Sequence, residues 1–386
     1  RMVASVDLRL SRLQYYGLGL VMVGILGAHA AVVFGIYRPT FMASAYPLRA
    51  SPIWVAYGLA ATYLLVVWLS LTFLKPGSKA GIASGKPLSK DESKAIDSLI
   101  KFGRTSGKVL NKDSVSGFAS SLRAKAERSG RPADAEAAKL AHLLLERDIA
   151  DVLGRVHALT SKTVEVGGAK AVYNAYQVCF NVLMVYILFS EVWKYAGGDP
   201  LKLWSTMPDP SPAGNLIQFG VWLHYINKFL EYADSVFMAA SGSWRQLGSM
   251  TGLHIIHHAI MGPIWFHVIF SITGEHEGNT QAWFSACANS FIHVLMYSYY
   301  LLSSLGVPLA WFRMPMTTAQ MIQFYAVFAH SLVHLYYTLV EPKPWALPLV
   351  SSVLELGTSV LMMFMFTKFF VAQYCTSKPR PKPKAA

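Results

Sequence analysis

The chain has 386 residues, of which 53% are hydrophobic and only 14% charged, with a formal net charge of +13. Such a composition excludes an ordinary soluble protein of this length and places most of the chain in lipid. Its basic residues sit beside the apolar runs, where they set membrane orientation, so the charge does not signal nucleic acid.

Apolar runs of about 20 residues, enough to cross a hydrocarbon core of roughly 30 Å, predict eight membrane helices. They fall near 15–37, 53–74, 170–193, 216–240, 250–271, 281–304, 316–338 and 346–371. The first is too long for a signal peptide, lacks a small-residue cleavage site and is followed at once by another span. Between the second and third lies the one sizeable polar region, 75–169. It opens on a Gly, Ser and Lys-rich linker, Pro76 to Ser89, and continues as helical segments. The clearest is expected over about Pro132 to Leu159, where Leu140, Leu143, Leu144, Ile149, Val152, Leu153 and Val156 recur at steps of three and four. That stripe predicts packing against a neighbouring helix.

Arg1, Arg9 and Arg12 precede the first span, half of all Lys and Arg lie in 75–169, and Arg245, Arg313, Lys378, Arg380, Lys382 and Lys384 join them on one side if eight spans alternate. Both termini are therefore expected in the cytoplasm. Cys179, Cys287 and Cys375 have neither metal spacing nor a disulfide framework, and buried packing is expected for them.

Polar residues inside the spans carry the functional signal, since each costs about 2 to 3 kcal/mol or more to place there. His254, His257 and His258 stand at i, i+3 and i+4 and share one face of the fifth span. Lys228, Glu231 and Asp234 share a face of the fourth. The sixth carries Asn289, His293, Tyr297 and Tyr300; the seventh carries Thr317, Gln320 and Gln323. With alternating spans these groups gather in the cytoplasmic half of the bilayer, roughly 5 to 18 Å from its surface, with His293 near mid-membrane. The pattern predicts a reaction chamber entered from the cytoplasm, with a more apolar far half for a lipid chain.

The runs Trp222 to Ser235, Leu253 to His258, Asn289 to Tyr300 and Thr317 to Phe324 resemble, in order, the four motifs of the ELO fatty-acid elongases, and Val172 to Gln177 is similar to the family's motif in the third span. The likeness covers about 53–74 and 170–375, and its wording is most similar to polyunsaturated-fatty-acid elongases of marine protists. It implies an all-α polytopic membrane fold: a seven-helix ELO-type barrel (53–74 and 170–375), an extra N-terminal transmembrane helix within 1–52, a helical cytoplasmic insert at 75–169 and a basic tail at 376–386. It also implies the condensing step of fatty-acid elongation in the endoplasmic reticulum, in which acyl-CoA and malonyl-CoA give 3-oxoacyl-CoA, CoA and carbon dioxide, with no further cofactor and no metal.

By motif position His257 becomes the nucleophile, since an acyl-imidazole keeps about the transfer potential of a thioester. His293 assists or orients it, and His254, His258, Asn289, Tyr297 and Gln320 are sources of hydrogen bonds to an enolate. Lys228, Glu231, Asp234, Tyr300, Gln320, Gln323 and Arg245 are assigned to substrate and CoA. Membrane lipid, a second copy of the chain and other enzymes of the elongation cycle are the expected partners.

Two other readings compete. HxxHH also occurs in di-iron desaturases and hydroxylases, but those need about eight histidines in several clusters, whereas His224, His267, His293, His330 and His334 stand singly here. A transporter also buries Lys, Glu, Asp and His, yet no inverted repeat or broken helix pair is evident.

The chain departs from the family at Ser249, Gly252 and Ser235, and Met238 to Gln246 holds only Arg245 where a basic pair is usual. Arg245, Arg313 or lysines of the insert are then left to meet the CoA phosphates. Lys382 and Lys384 match a dilysine retrieval signal, and topology alone also accounts for them. The insert is expected to cap or border the cytoplasmic mouth. Deleting 75–169 should alter elongation kinetics or thermal stability, and unchanged values for both would defeat that role.

Overall fold

The computed structural model describes residues 9–39, 53–73, 90–106, 109–129, 138–139, 141–145, 148–160, 166–203, 212–241, 250–272 and 281–375. The predicted linker Pro76 to Ser89, Ser249, Arg245 and the basic tail lie outside them. Every apolar run forms a helix. In chain order these are α1 (Arg9–Val32, ending in a π-turn Val33–Tyr37), α2 (Ile53–Phe73), α3 (Lys90–Ser106), α4 (Lys112–Ser129), α5 (Ile149–Thr160), α6 (Gly167–Tyr195), α7 (Pro212–Leu230), α8 (Tyr232–Ala240), α9 (Met250–Ile272), α10 (Trp283–Ser304), α11 (Arg313–Leu339) and α12 (Leu349–Phe370).

Among the described residues there is no β-strand. Gln14–Gly35, Gly167–Tyr195 and Leu349–Cys375 are each long and apolar enough to cross a membrane by length and composition alone. The chain is an all-α polytopic membrane protein.

It divides into two compact units. The first comprises Arg1–Met22, Trp68–Lys170 and Val236–Arg245. Within it α3, α4 and α5 pack on one another around Ile96, Leu99, Leu110, Val115, Leu144, Val152, Leu153 and Val156. The stripe seen in the sequence is therefore the core of a small helical bundle. Helix α4 starts at a reciprocal cap: Ser114 N–H donates to Asn111 Oδ1 at 2.9 Å, and Ser114 Oγ accepts from Asn111 N–H at 2.7 Å. The expected helix from Pro132 to Leu159 does not run through. Asp148 stands outside helix just before Ile149, and Val152 N–H donates to its carbonyl, so a new helix begins there. Asp favours this N-cap position because its short side chain competes for backbone N–H groups.

The second unit comprises Val23–Val67, Ala171–Ser235 and Gln246–Ala386. Its helices α7, α9, α12, α11 and α10 pack each on the next, and α10 returns to α7, closing a ring. Contacts fix their directions. Phe229 meets Gly262 and His224 meets Trp265, so α7 and α9 are antiparallel. His224 meets Ser290 and Glu231 meets His293, so α7 and α10 are parallel. Phe284 meets His330 and Gln320 meets Met296, making α10 and α11 antiparallel. Phe324 meets Phe366 and Ser331 meets Glu355, making α11 and α12 antiparallel. His29 meets Tyr176 and Phe34 meets Phe180, so the extra helix α1 lies parallel to α6. From α7 onward, the long helices consecutive in the chain thus alternate in direction.

Side chains follow the same logic. Leu332, Val333 and Tyr336 are uncovered on the lipid side of α11, while His330, Ser331 and His334 are covered by protein. Cys179 and Cys375 are exposed, against the expected burial, and only Cys287 is partly covered. Cys179 is the residue before buried Phe180, on a face of α6 that the core does not need.

Two glycines set helix distances. A Cβ on Gly262 would lie 2.5 Å from Phe229, so glycine lets α9 close onto α7 just above the histidines. In the first unit, a Cβ on Gly168 of α6 would collide with the Tyr15 carbonyl oxygen of α1, a backbone atom that cannot step aside. Gly168→Ala should therefore cost about 1 to 3 kcal/mol, seen as a lower Tm in detergent. Gly17→Ala, where nothing lies within 4 Å, should not destabilise.

Candidate active site

One end of the ring collects the polar side chains: the C-terminal end of α7, the N-terminal end of α9 and the middle of α10. At its centre is a buried ion pair. Lys228 Nζ lies 2.8 Å from Glu231 Oε1, with both side chains 1% exposed. The ammonium also donates to Glu231 Oε2 at 3.1 Å and to Asn289 Oδ1 at 2.9 Å, which uses three donors on three acceptors. Asn227 Nδ2 adds a third bond to the carboxylate at 3.0 Å. Burying a lone charge in such a place is prohibitive, and a fully hydrogen-bonded pair is the form in which it is tolerated.

Glu231 faces the two histidines from α9 and α10. His293 Nδ1 lies 3.0 Å from Glu231 Oε1, yet without the alignment of a hydrogen bond. His257 Nδ1 is buried without any hydrogen-bond partner. One ligand-type atom from each of Glu231, His257 and His293 falls within 4.8 Å of the others. Such a set could hold a cation, but Lys228 already places a positive charge 2.8 Å from its carboxylate. A metal would have to displace that ammonium before Glu231 could serve it.

The other two histidines turn elsewhere. His254 Nε2 is 2.8 Å from Ser235 Oγ, which is 3.1 Å from Tyr63 OH. His258 is buried beside the His254 ring at 4.2 Å and against the stacked pair of Tyr63 and Tyr232. HxxHH therefore splits: its middle member joins Glu231 and His293, and the outer two lock α9 against α2 and the start of α8.

Asp234 follows on the same side, so that Lys228, Glu231 and Asp234 meet Asn289, His293 and Tyr297 in turn along α10. Helix α7 stops at Leu230, Glu231 occupies a turn and α8 restarts at Tyr232, with Asp234 N–H bonding back only three residues to Glu231 O. Its partners there are hydroxyls. Tyr297 OH donates to its Oδ2 at 2.7 Å and Tyr173 OH at 3.4 Å. Gln177 Nε2 donates to Tyr173 OH at 3.1 Å, and Asn181 Nδ2 to Gln177 Oε1 at 3.0 Å, so this network climbs α6. Tyr300 touches it by ring contact with Tyr297 at 6.1 Å.

The seventh-span residues do not join. Gln320 Nε2 meets Met296 Sδ at 3.9 Å, and buried Gln323 keeps Oε1 without a partner. Arg313 donates to Tyr299 OH at 2.7 Å. Sequence reasoning passed over Asn227 and Tyr63. Asn227 precedes Lys228 by one residue and looks like a helix-facing amide; Tyr63 reads as one aromatic among many in α2.

Residues 149–382 match the ELO (GNS1/SUR4) family. The chain belongs to that family. It is 32% identical over 174 residues to very long chain fatty acid elongase 4 of Homo sapiens, covering 44% of this chain and 49% of that protein. Very long chain fatty acid elongase 5 of Tachysurus fulvidraco is 29% identical over 224 residues, 58% of this chain and 70% of its own. Very long chain fatty acid elongase 7 of Drosophila melanogaster is 29% identical over 230 residues, 58% and 65% respectively. The chain thus spans about half the length of the human relative. The family match begins at residue 149 and leaves α1 and α2 outside it.

Because Lys228 is what neutralises Glu231, Lys228→Met should destabilise the protein by about 3 to 5 kcal/mol through the stranded carboxylate. The double variant Lys228→Met, Glu231→Leu should recover much of that loss. Thermal unfolding of both in detergent reads the difference, and equal losses would show that the pair is not the origin of the cost.

Proposed function

We propose that this protein is a condensing enzyme of fatty-acid elongation, joining acyl-CoA and malonyl-CoA to give 3-oxoacyl-CoA, CoA and carbon dioxide. The observation that carries the reading is the meeting of His257 and His293, from facing helices, over one carboxylate inside the ring.

The two half-reactions follow from that pair. A ring nitrogen of His257 attacks the thioester carbonyl, the carbon–sulfur bond breaks, and the thiolate leaves with the proton displaced from the imidazole. The acyl-imidazole keeps the energy of the thioester. Malonyl-CoA then loses carbon dioxide, the resulting enolate attacks the acyl carbon, and the carbon–nitrogen bond breaks. His257 regains one proton from solvent, delivered through His293, which Glu231 holds within reach. Lys228 and Asn289 hold Glu231 in place, and the hydroxyl of Tyr297 and the ring of His254 are donors near the enolate.

Long-chain polyunsaturated acyl-CoA is the acyl donor we favour, on the wording of Trp222 to Ser235 and Asn289 to Tyr300. The endoplasmic reticulum membrane is the location, with both termini cytoplasmic, supported by the basic flanks and the alternating helix directions. Assembly as a homodimer or with other enzymes of the cycle fits the same location.

Incubation with acyl-CoA alone, followed by mass spectrometry, should find the acyl mass on the peptide bearing His257. His257→Ala should lose the adduct and all condensation, whereas His293→Ala should slow both half-reactions by about 10²- to 10⁴-fold. Condensation without any adduct would mean direct attack on the thioester and would overturn the covalent route.

A further inference from the structure

A second buried polar cluster lies at the opposite end of the ring from His257 and has no part in the proposed reaction. His330, Ser331 and His334 come from α11 and Glu355 from α12. Ser331 Oγ donates to Glu355 Oε2 at 3.2 Å, and His330 Nδ1 lies 3.6 Å from the same oxygen. His334 Nδ1 accepts the Leu347 N–H at 3.0 Å, which leaves the ring proton on Nε2.

That Nε2 and the other carboxylate oxygen, Glu355 Oε1, are both buried with no hydrogen-bond partner. A stranded donor and a stranded acceptor cost about 1 to 3 kcal/mol each, and the cost is lifted only by a polar group reaching them. The cluster faces inward. His330 stacks on Phe284 of α10 at 4.6 Å and 19° while reaching Glu355 of α12, so it points to where its two neighbours in the ring converge.

Its distance from the reaction centre selects a carbon. Phe284 and His293 are nine residues apart on α10, about 13.5 Å along the axis. A chain with carbon–carbon bonds of about 1.5 Å at about 111° advances about 1.25 Å per carbon when extended, so the level of His330 is roughly eleven carbons away, and the His334 ring lies 4.3 Å from the His330 ring.

We propose that the His334–Glu355 cluster is a distal subsite for an oxygenated acyl chain. A hydroxyl about eleven or twelve carbons from the thioester donates to Glu355 Oε1 and accepts from His334 Nε2. The subsite rests on the reading of the His257 centre as an acyl-CoA condensing site, and not on the unsaturation of the chain. A tail without the hydroxyl leaves both protein groups bare, the arrangement by which hydrogen-bonding sites reject analogues that lack the group.

Calorimetric titration of the full chain in detergent, without malonyl-CoA, compares 12-hydroxyoctadecanoyl-CoA with octadecanoyl-CoA. The hydroxylated thioester should bind at least about tenfold tighter, and 2-hydroxyoctadecanoyl-CoA should show no such gain. His334→Asn keeps an acceptor for the Leu347 N–H but removes the second nitrogen, and should bring the two affinities to within about twofold. Equal affinities in the unaltered protein, or a preference that survives His334→Asn and Glu355→Leu alike, would mean that water alone completes the cluster and would overturn the subsite. A binding preference with no elongation of either thioester leaves the subsite standing and removes the condensing role; elongation with no preference does the reverse.

Discussion

A lysine and a glutamate paired at 2.8 Å inside a ring of apolar helices are the constraint from which the site follows. Neither charge is tolerable alone, so each must find every hydrogen bond it can, and the neighbours that supply those bonds become fixed. Lys228 holds Asn289 of α10; Glu231 holds Asn227 and stands against His293. The pair therefore ties α7 to α10 at the depth where His293 projects. Glycine at 262 lets α9 approach α7 closely enough for His257 to complete the set.

Asp234 belongs to the same arrangement. Lys228, Glu231 and Asp234 meet Asn289, His293 and Tyr297 in turn along α10, and Asp234 is taken up by the hydroxyls of Tyr297 and Tyr173. Two carboxylates three residues apart are thereby served by separate donors: one by a cation and amides, the other by phenols. The second network braces α6 and α10, whereas the first ties α7 to α10 beside His293.

The membrane helices were legible because lipid imposes one rule, some twenty apolar residues per crossing, and every such run is a helix. The three-residue spacing of polar groups also pointed to the right faces. It could not divide roles within a face. His254, His257 and His258 share one stripe of α9, yet only the partners on other helices decide that His257 meets Glu231 while His254 meets Ser235. The same blindness hid the distal cluster. His330 and His334 read as isolated residues because Glu355, more than twenty positions later, is brought beside them only by the antiparallel packing of α11 and α12. In the insert, one aspartate before Ile149 ended a helix that periodicity alone would have carried through.

The expected division of the chamber into a polar cytoplasmic half and an apolar far half is therefore incomplete. On the α7 and α9 side the far half is apolar, filled by Phe219, Val221, Leu223, Trp265 and Ile269. On the α11 and α12 side it carries His330, His334, Glu355, Ser351 and Ser352, all buried. Side chains of that kind could have turned to the headgroup region at modest cost had they been neutral bystanders near a helix end. They are held instead among α10, α11 and α12, where His330 stacks on Phe284 and Ser331 donates to Glu355. On the proposed reading, a wall whose polarity changes at a set depth sorts acyl chains by what they carry there, not only by how long they are.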